Sequence, residues 1–479
     1  MALPEGWEMV VGLEVHTELK TATKLFCGCA NMFGDEPNTN ICPVCLGLPG
    51  ALPVLNERAV ELAMALGFAL HCTVAPSTFH RKNYFYPDMP KDFQISQYDL
   101  PINSNGFLDL PDGSRVGIER AHLEEDTGKS THIGASGRLQ GADRSLIDYN
   151  RSGVPLVEIV SAPDIRSAAQ ARAYASELRG ILIATGASDG RMEEGSMRMD
   201  ANVSVRKSGE PYGTRCEIKN LNSLRSLVRA IEYEALRQVV LLDDGGTVRQ
   251  ETRHWDEQHG ETSTLRVKEE AEDYRYFREP DLVDLAPSDE WQQRVRATLT
   301  RMPAERRVAL AALFTELSDA QVEAVTVAVD LDLDEFVVHA HEAGVDAALA
   351  LNRATNELAA SESGVAKLTY EAFNETLLLE QRGQLSATQA KAVLAALLEH
   401  GGETNAVITE LGIEQVSEDA LATSVEALIR AHPDEWARYV EGDDKLEQFF
   451  VGFVMKSTKG QANGKAVIAL LAGKRSNTH

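Results

Sequence analysis

The first 292 residues alternate between short apolar and polar runs, whereas the rest of the chain repeats apolar positions every three or four residues. Alternation with a period of two predicts strands that turn one face towards a core. Four stretches show it most clearly, namely residues 12–20, 155–161, 196–206 and 214–220. Apolar spacing of three and four predicts helices over 56–70 and 168–186 in the same part of the chain.

Amphipathic helical patterns dominate from residue 293 onward, and several of them begin at Ser, Asp or Glu. A Gly-Gly loop at 401–402 interrupts this pattern, and another helical stretch follows it. We therefore expect an α+β protein in three parts. An antiparallel-sheet domain would span 1–292, an all-α helical domain 293–404, and a small all-α tail domain 405–479.

The composition is that of an ordinary globular protein. The 479 residues are 43% hydrophobic and 25% charged, and both proportions are common in globular folds. No stretch approaches the ~18 apolar residues of a membrane span. The N-terminus lacks the basic and apolar segments of a signal peptide. We therefore expect a cytoplasmic protein with no membrane partner.

Charge is distributed unevenly along the chain. A net charge of −26 normally argues against nucleic acid as a partner. Glu447 is the last acidic residue, and the charged residues beyond it are Lys456, Lys459, Lys465, Lys474 and Arg475. A basic segment of this kind either binds a polyanion or is a solvated helix end, and charge alone favours neither interpretation.

Four of the six cysteines fall within nineteen residues, as Cys27-x-Cys29 and Cys42-x2-Cys45. Two close pairs of thiolates joined by a loop suit tetrahedral Zn²⁺. In a reducing compartment such clustering favours a metal over disulfides. We predict a structural zinc site within 27–45, and the alternative is four reduced thiols. A catalytic zinc ion is disfavoured because sulfur would fill all four positions.

Carboxylates interrupt the apolar runs of the predicted strands at Glu14, Glu158, Asp200 and Glu217. A carboxylate is unfavourable to bury unless it is paired or ligated, and any single one is more often part of a structural ion pair. Together with His16 and the acidic run "HLEED", they predict a site for a hard cation such as Mg²⁺. The chain contains neither a P-loop nor a Gly-x-Gly-x-x-Gly loop. A bound nucleotide would therefore be held by metals and basic side chains on a sheet.

Several long motifs resemble those of the B subunits of glutamyl-/aspartyl-tRNA amidotransferases (GatB). In chain order they are "GLEVHTELKT", "RKNYFYPDMPKDFQISQYD", "HLEEDTGKSTH", "DYNRSGVPLVEIVS", "MEEGSMRMDANVSVR", "EIKNLNS", "DYRYFREPDL" and "MKSTKGQAN". They span nearly the whole chain. The resemblance implies that the sheet domain is a cradle distantly similar to the catalytic fold of glutamine synthetase. It also implies that the helical and tail domains hold tRNA.

The resemblance further implies a reaction and its participants. ATP would phosphorylate the side-chain carboxylate of Glu or Asp misacylated on tRNA(Gln) or tRNA(Asn), and ammonia would then displace the phosphate. An amidase (A) subunit would make the ammonia from glutamine, and a small C subunit would complete the heterotrimer. The cofactors would be ATP and Mg²⁺, beside a structural Zn²⁺.

The same resemblance assigns roles to individual residues. The expected Mg²⁺ ligands or their immediate supports are Glu14, His16, Glu125, Glu158, Asp200 and Glu217. Asp126 joins the catalytic set as a group that deprotonates ammonium. Candidates for contact with phosphate or for the ammonia path are Lys82, Lys91, Arg198 and Arg206. The expected tRNA contacts are Lys456, Lys459 and Lys465.

Two other functions compete with this interpretation. A non-catalytic tRNA-binding scaffold would carry the acids only as structural ion pairs. A ligase resembling glutamine synthetase would act on a free amino acid and would not need the basic tail. A glutaminase is disfavoured, because four cysteines are assigned to zinc while Cys72 and Cys216 lie at apolar positions. Ammonia is therefore expected from another chain.

Overall fold

The computed structural model describes residues 3–134, 142–267, 274–413, 418–457 and 464–476. The chain divides into two compact units, residues 1–304 and 305–479. The strands are β1 (Trp7–Glu18), β2 (Thr73–Val74), β3 (His80–Asn83), β4 (Phe93–Ser96), β5 (Asn103–Asp109), β6 (Arg115–Glu125), β7 (Lys129–Ile133), β8 (Arg144–Asp148), β9 (Pro155–Ser161), β10 (Met197–Lys207), β11 (Cys216–Leu221), β12 (Glu251–Asp256), β13 (Glu261–Val267) and β14 (Phe277–Arg278).

Helices follow in both units. Those packed with the sheet are α1 (Glu57–Ala69), α2 (Ala168–Ala184), α3 (Leu224–Asp243) and α4 (Asp289–Arg296). The chain continues through α5 (Pro303–Ala311), α6 (Asp319–Asp330), α7 (Asp334–Glu342), α8 (Ala347–Arg353), a π-helical turn (Ala354–Leu358), α9 (Glu362–Val365), α10 (Tyr370–Gln381), α11 (Ala387–His400), α12 (Thr404–Glu410), α13 (Glu418–Ala431), α14 (Pro433–Val440), α15 (Lys445–Ser457) and α16 (Gly464–Ser476).

The large sheet has the strand order β13-β12-β11-β10-β1-β9-β6-β4-β3-β14, and β5 pairs with β6 and β2. Neighbouring strands are antiparallel except for β11 and β12, which are parallel. The sheet is therefore mixed, and the prediction of an antiparallel sheet needs this correction. The physical reason is that α3 joins β11 to β12, since parallel strands need a long crossover connection. A mixed sheet followed by helices is consistent with the expected α+β class.

One face of the sheet is apolar and the other is polar. Val11, Leu13 and Val15 of β1 are fully buried in a core that they share with α1, α2 and α3. Because successive side chains of a strand point to opposite faces, the same strand turns Glu14 and His16 away from this core. The polar side chains of neighbouring strands consequently collect on one surface.

Helix α4 also belongs to the first unit. Val295 is buried in the core of the sheet, and the indole N–H of Trp291 donates to Glu61 of α1 at 3.3 Å. The predicted domain boundary at 292 thus falls inside this unit. The other boundaries stay predictions.

The described residues of the second unit form two apolar cores. One is built from buried residues between Leu310 and Ile408, and the other from buried residues between Leu421 and Leu471. Helix α12 contributes Val407 to the first of them. Among the residues that the structure describes, no helix is both long and apolar enough to cross a membrane.

Candidate active site

The register of the central strands sets predicted site residues side by side. Glu14 of β1 lies directly opposite Asp200 of β10, and His16 of β1 lies opposite Glu158 of β9. Directly opposed residues have their Cβ atoms about 5 Å apart, and like charges in such pairs are destabilising. The pairing of Glu14 with Asp200 therefore requires a compensating positive charge.

His16, Glu124 and Glu158 form one cluster, called here the histidine cluster. Their ligand atoms lie within 4.8 Å of one another. Nε2 of His16 is 3.6 Å from a carboxylate oxygen of Glu124 and 3.4 Å from one of Glu158. Nε2 of the buried His122 lies 4.0 Å and 3.9 Å from the same two carboxylates. The histidine cluster thus joins β1, β6 and β9 around one small space.

The surroundings shift the pKa values of His16 and His122 in opposite directions. Burial acts to lower the pKa of His16, but the hydrogen bond and charge of Glu158, with the charge of Glu124, outweigh it and raise the pKa to about 9. Burial lowers the pKa of His122 to about 4. Burial, followed by the charge of Glu158, raises the pKa of Glu124. The cluster therefore favours positive charge between its carboxylates, and a metal ion there would require His16 to be neutral.

Glu14, Asp200 and Glu217 form a second group, called here the carboxylate cluster. Their ligand atoms also lie within 4.8 Å of one another. The amide of Asn202 donates to Glu14 at 2.8 Å. The ammonium of Lys219 contacts Asp200 at 2.5 Å and Glu217 at 3.3 Å. Oxygen ligands of this kind are those that Mg²⁺ prefers, so the residues fit a hard divalent cation.

A single cleft of about 480 Å³ is lined by residues of both clusters. Lys82 also lines it, with its ammonium 4.8 Å from the centre of the Tyr274 ring. The rings of Tyr98 and Tyr276, which line the same cleft, stack with their centres 4.1 Å apart. The cleft thus combines carboxylates for cations with ammonium groups for anions.

Glu124, rather than the predicted Glu125, completes the histidine cluster. The two are adjacent on β6 and therefore point to opposite faces. Glu125 instead binds Lys91 at 2.6 Å, and both line a separate cavity of about 170 Å³ beside Cys45. Neither Glu125 nor Lys91 is among the residues that line the larger cleft.

Three further predicted residues are engaged in ion pairs outside the two clusters. Asp126 is buried and lies 2.6 Å from Arg198 and 3.3 Å from Arg151. Arg206 lies 2.6 Å from Glu8, near the other end of β1. These contacts favour a structural role for Arg206. The contacts of Asp126 do not test its role in deprotonating ammonium, which stays a prediction.

Sequence reasoning gave Glu124, His122 and Lys219 no individual role in the site, although Glu124 and His122 lie in the acidic run "HLEED". The alternation of side chains along β6 could have identified Glu124 and His122. The apolar Leu123 lies between them and marks the core face, so both neighbours point to the opposite, polar face. Lys219 shares the parity of Glu217, and its chemistry made it look like an ordinary polar strand residue. Its contact with Asp200 on the neighbouring strand is visible only in the folded chain.

The four predicted zinc ligands lie together. The sulfur atoms of Cys27, Cys29, Cys42 and Cys45 are within 4.8 Å of one another. The backbone N–H of Cys42 donates to the sulfur of Cys45 at 3.1 Å. The hydrogen bond from Cys27 lowers the pKa of Cys45 to about 5, although burial opposes the shift. Four sulfur atoms gathered in this way fit a structural Zn²⁺.

Replacing Cys42 with Ser should lower bound zinc from one ion per chain to near zero and lower the melting temperature, because metal binding and folding are coupled. Elemental analysis and thermal unfolding measure the two effects. The control is Cys72→Ala, which alters a buried cysteine outside the cluster and should leave the zinc content unchanged. Full zinc occupancy in Cys42→Ser would contradict the assignment.

The basic residues of the tail are partly paired. Lys474 binds Glu426 of α13 at 2.7 Å, and Arg475 binds Asp444 at 2.8 Å. Carboxylates from earlier parts of the tail therefore balance these two cations, although no acidic residue follows Glu447 in the sequence.

Of the three predicted tRNA contacts, Lys456 is exposed near the end of α15. Lys459 lies outside the described residues. Lys465 is the second residue of α16, but its side chain is also outside the described part of the chain. Their role in tRNA binding stays a prediction.

Comparisons with known proteins cover almost the full chain. A family model described as the GatB/GatE catalytic domain matches residues 9–293, and one described as the GatB domain matches residues 335–474. The first match contains both clusters and the four cysteines. The second lies within the helical part of the chain.

Curated relatives match over nearly their whole length. A protein of Frankia casuarinae is 50% identical, with 97% of this chain and 95% of the relative covered. One of Nocardia farcinica is 48% identical over 97% and 95%, and one of Carboxydothermus hydrogenoformans is 44% identical over 98% of both. Each is named as the B subunit of an aspartyl/glutamyl-tRNA(Asn/Gln) amidotransferase.

Proposed function

The chain belongs to the GatB/GatE family, and from this premise we propose that it is the B subunit of a tRNA-dependent amidotransferase. It would convert Glu on tRNA(Gln), or Asp on tRNA(Asn), to the corresponding amide in an ATP-dependent ligase reaction. The observation that carries the proposal is the convergence of two metal-ligating clusters from β1, β6, β9, β10 and β11 on one cleft.

The proposed reaction has two steps. A side-chain carboxylate oxygen of the aminoacyl group attacks the γ-phosphorus of ATP, and ADP leaves with the electron pair of the broken P–O bond. Ammonia then attacks the carbon of the acyl phosphate, inorganic phosphate leaves, and the nitrogen loses a proton. The first step brings anions together, and a single pair at about 4 Å repels by ~4 kcal/mol at an effective dielectric near 20. Positive charge in the cleft is therefore essential.

The two clusters would hold Mg²⁺ through Glu124 and Glu158 on one side and through Glu14, Asp200 and Glu217 on the other. Bound Mg²⁺ would neutralise the phosphate oxygens and align them for in-line transfer. His16 would be a ligand or would orient one. Lys82 lies in the same cleft, and its ammonium would contact the phosphates directly.

The remaining parts of the enzyme are assigned by family membership. An amidase subunit would supply ammonia, a small C subunit would complete the complex, and Zn²⁺ would hold the loop of residues 27–45. The sheet domain would be a cradle related to the catalytic fold of glutamine synthetase. The cavity with Lys91 and Glu125 would belong to the ammonia path, because these residues face away from the cleft.

The direct test is to purify the chain with its partner subunits and assay amidation of Glu-tRNA(Gln) and Asp-tRNA(Asn). We expect ATP-dependent formation of the amide on one or both, with glutamine as the nitrogen source. Amidation of free glutamate at the same rate as the aminoacyl-tRNA would contradict the proposal and support the small-molecule ligase.

Replacing the exposed Lys456 with Ala should weaken tRNA binding a few-fold and reduce the slope of log affinity against log salt by about 1, because one phosphate contact is lost. Fluorescence binding at several salt concentrations measures both. Lys445→Ala is a matched control at the start of the same helix, where the acidic neighbours Asp444 and Glu447 disfavour phosphate. Equal effects of the two substitutions would contradict a specific role for Lys456.

A further inference from the structure

The carboxylate cluster already contains a cation of its own chain. The ammonium of Lys219 lies 2.5 Å from Asp200 and 3.3 Å from Glu217. Asp200 in turn lies directly across the strand pair from Glu14. Lys219 therefore supplies the positive charge that three crowded carboxylates require when no metal is bound.

Lys219 reaches the cluster from its edge and remains accessible from the cleft. Its side chain is 34% exposed, whereas those of Asp200 and Glu217 are 15% and 7% exposed. It is two residues from Glu217 on β11, so both side chains share the cleft face. A lysine ammonium on a flexible four-carbon stem can change position without any movement of the strand. The ammonium of Lys219 can therefore leave Asp200 and Glu217 by a change of side-chain conformation alone.

A divalent cation would compete with this ammonium for the same oxygens. Glu14, Asp200 and Glu217 offer ligand atoms within 4.8 Å of one another, and Lys219 contacts two of the three residues. An ammonium and a metal ion in one such space would repel each other strongly. Binding of the metal therefore requires Lys219 to leave, and the cleft beside it also holds Lys82.

We propose that Lys219 is a resident counter-cation that a divalent metal displaces from the carboxylate cluster, and that the released ammonium then contacts the phosphates of the nucleotide. The displacement depends only on the contacts of Lys219. The phosphate contact rests on the proposed function. The two halves are separated by different measurements.

The first experiment measures binding of Mn²⁺ alone, without nucleotide, to the purified complex by electron paramagnetic resonance. Mn²⁺ is a suitable probe because carboxylate sites accept it. Lys219→Met should tighten Mn²⁺ binding at one site by ~10-fold or more. In the native chain the metal binds only when the ammonium of Lys219 has left the carboxylates, and the substitution removes this requirement. Lys219→Arg keeps the charge, should leave affinity near that of the native chain, and guards against a folding defect in the Met variant.

Two further variants make the result specific. Adding Asp200→Asn to Lys219→Met should abolish the tightened site, which identifies it as the carboxylate cluster. Arg215→Met removes the same charge from a residue that lines the same cleft and should change Mn²⁺ affinity by about twofold at most, since its effect is only long-range and screened. Unchanged affinity in Lys219→Met, or an equal gain in Arg215→Met, would overturn the displacement.

The second experiment measures ATP-dependent phosphoryl transfer at saturating Mg²⁺. Lys219→Met should lower kcat/KM for ATP by ~10²-fold, the typical effect of losing one preorganised donor to the transferring group. Tighter metal binding together with slower transfer is a combination that a merely structural lysine would not give. Tighter binding with unchanged transfer would overturn the phosphate contact. If the native complex shows no ATP-dependent phosphoryl transfer at all, the proposed function is refuted. The Mn²⁺ result would still stand independently.

Discussion

Replacing Asp200 with Asn should lower the rate of ATP-dependent amidation by at least ~1000-fold, equivalent to about 4 kcal/mol of activation free energy, and should leave tRNA affinity within about twofold. The substitution keeps the size of the side chain but removes one charge from the carboxylate cluster. It also removes the ionic partner of Lys219. Because the cluster would hold the metal that neutralises phosphate in the proposed reaction, the chemistry should fail while the tRNA contacts persist.

The measurements are single-turnover amidation and tRNA binding with the assembled complex, together with its glutaminase activity, which should be retained. Glu8→Gln is the matched control, since it removes one carboxylate charge from β1 at the pair with Arg206, outside both clusters. A rate within tenfold of the native value in Asp200→Asn would favour the scaffold interpretation, in which these acids are structural only.

Deleting residues 415–479 should lower kcat/KM for the aminoacyl-tRNA by at least ~100-fold, mainly through a higher KM, since phosphate contacts dominate affinity for nucleic acid. The cut is placed after α12 because Val407 and Ile408 are buried in the core of the preceding helices. A deletion from residue 405, the predicted domain boundary, would expose that core. The tail has an apolar core of its own, so its removal should leave the other core intact.

Amidation over a range of tRNA concentrations gives the two kinetic constants. Zinc content and the unfolding transition of the truncated chain serve as controls, and both should be retained. A small-molecule ligase would not need the tail, so an unchanged rate after the deletion would support that alternative and contradict the tRNA-dependent reaction.

Much of the sheet could be predicted from alternation alone. The alternation in β1 and β10 assigns Glu14 and Asp200 to the polar face of their strands, and the structure confirms that face for both, since the two residues lie opposite each other. The clustering of the four cysteines could likewise be predicted from their spacing, because they are close in sequence. These features depend on local rules that a single stretch of chain expresses.

Features that depend on pairing between distant segments were less accessible. The parallel pair β11 and β12 results from the crossover through α3, which alternation does not encode. The prediction of Glu125 as a ligand was wrong in favour of Glu124, because Glu125 points to the opposite side of β6 and contacts Lys91. The contacts of Lys219 with Asp200, and of Lys474 with Glu426, join segments whose proximity only the fold creates.

Anomalous diffraction from crystals of the complex grown with Mn²⁺ and a non-hydrolysable ATP analogue tests the central claim most directly. We predict one Mn²⁺ peak among His16, Glu124 and Glu158, a second among Glu14, Asp200 and Glu217, and the triphosphate in the cleft between them. A nucleotide bound elsewhere, with neither cluster holding Mn²⁺, would contradict the account.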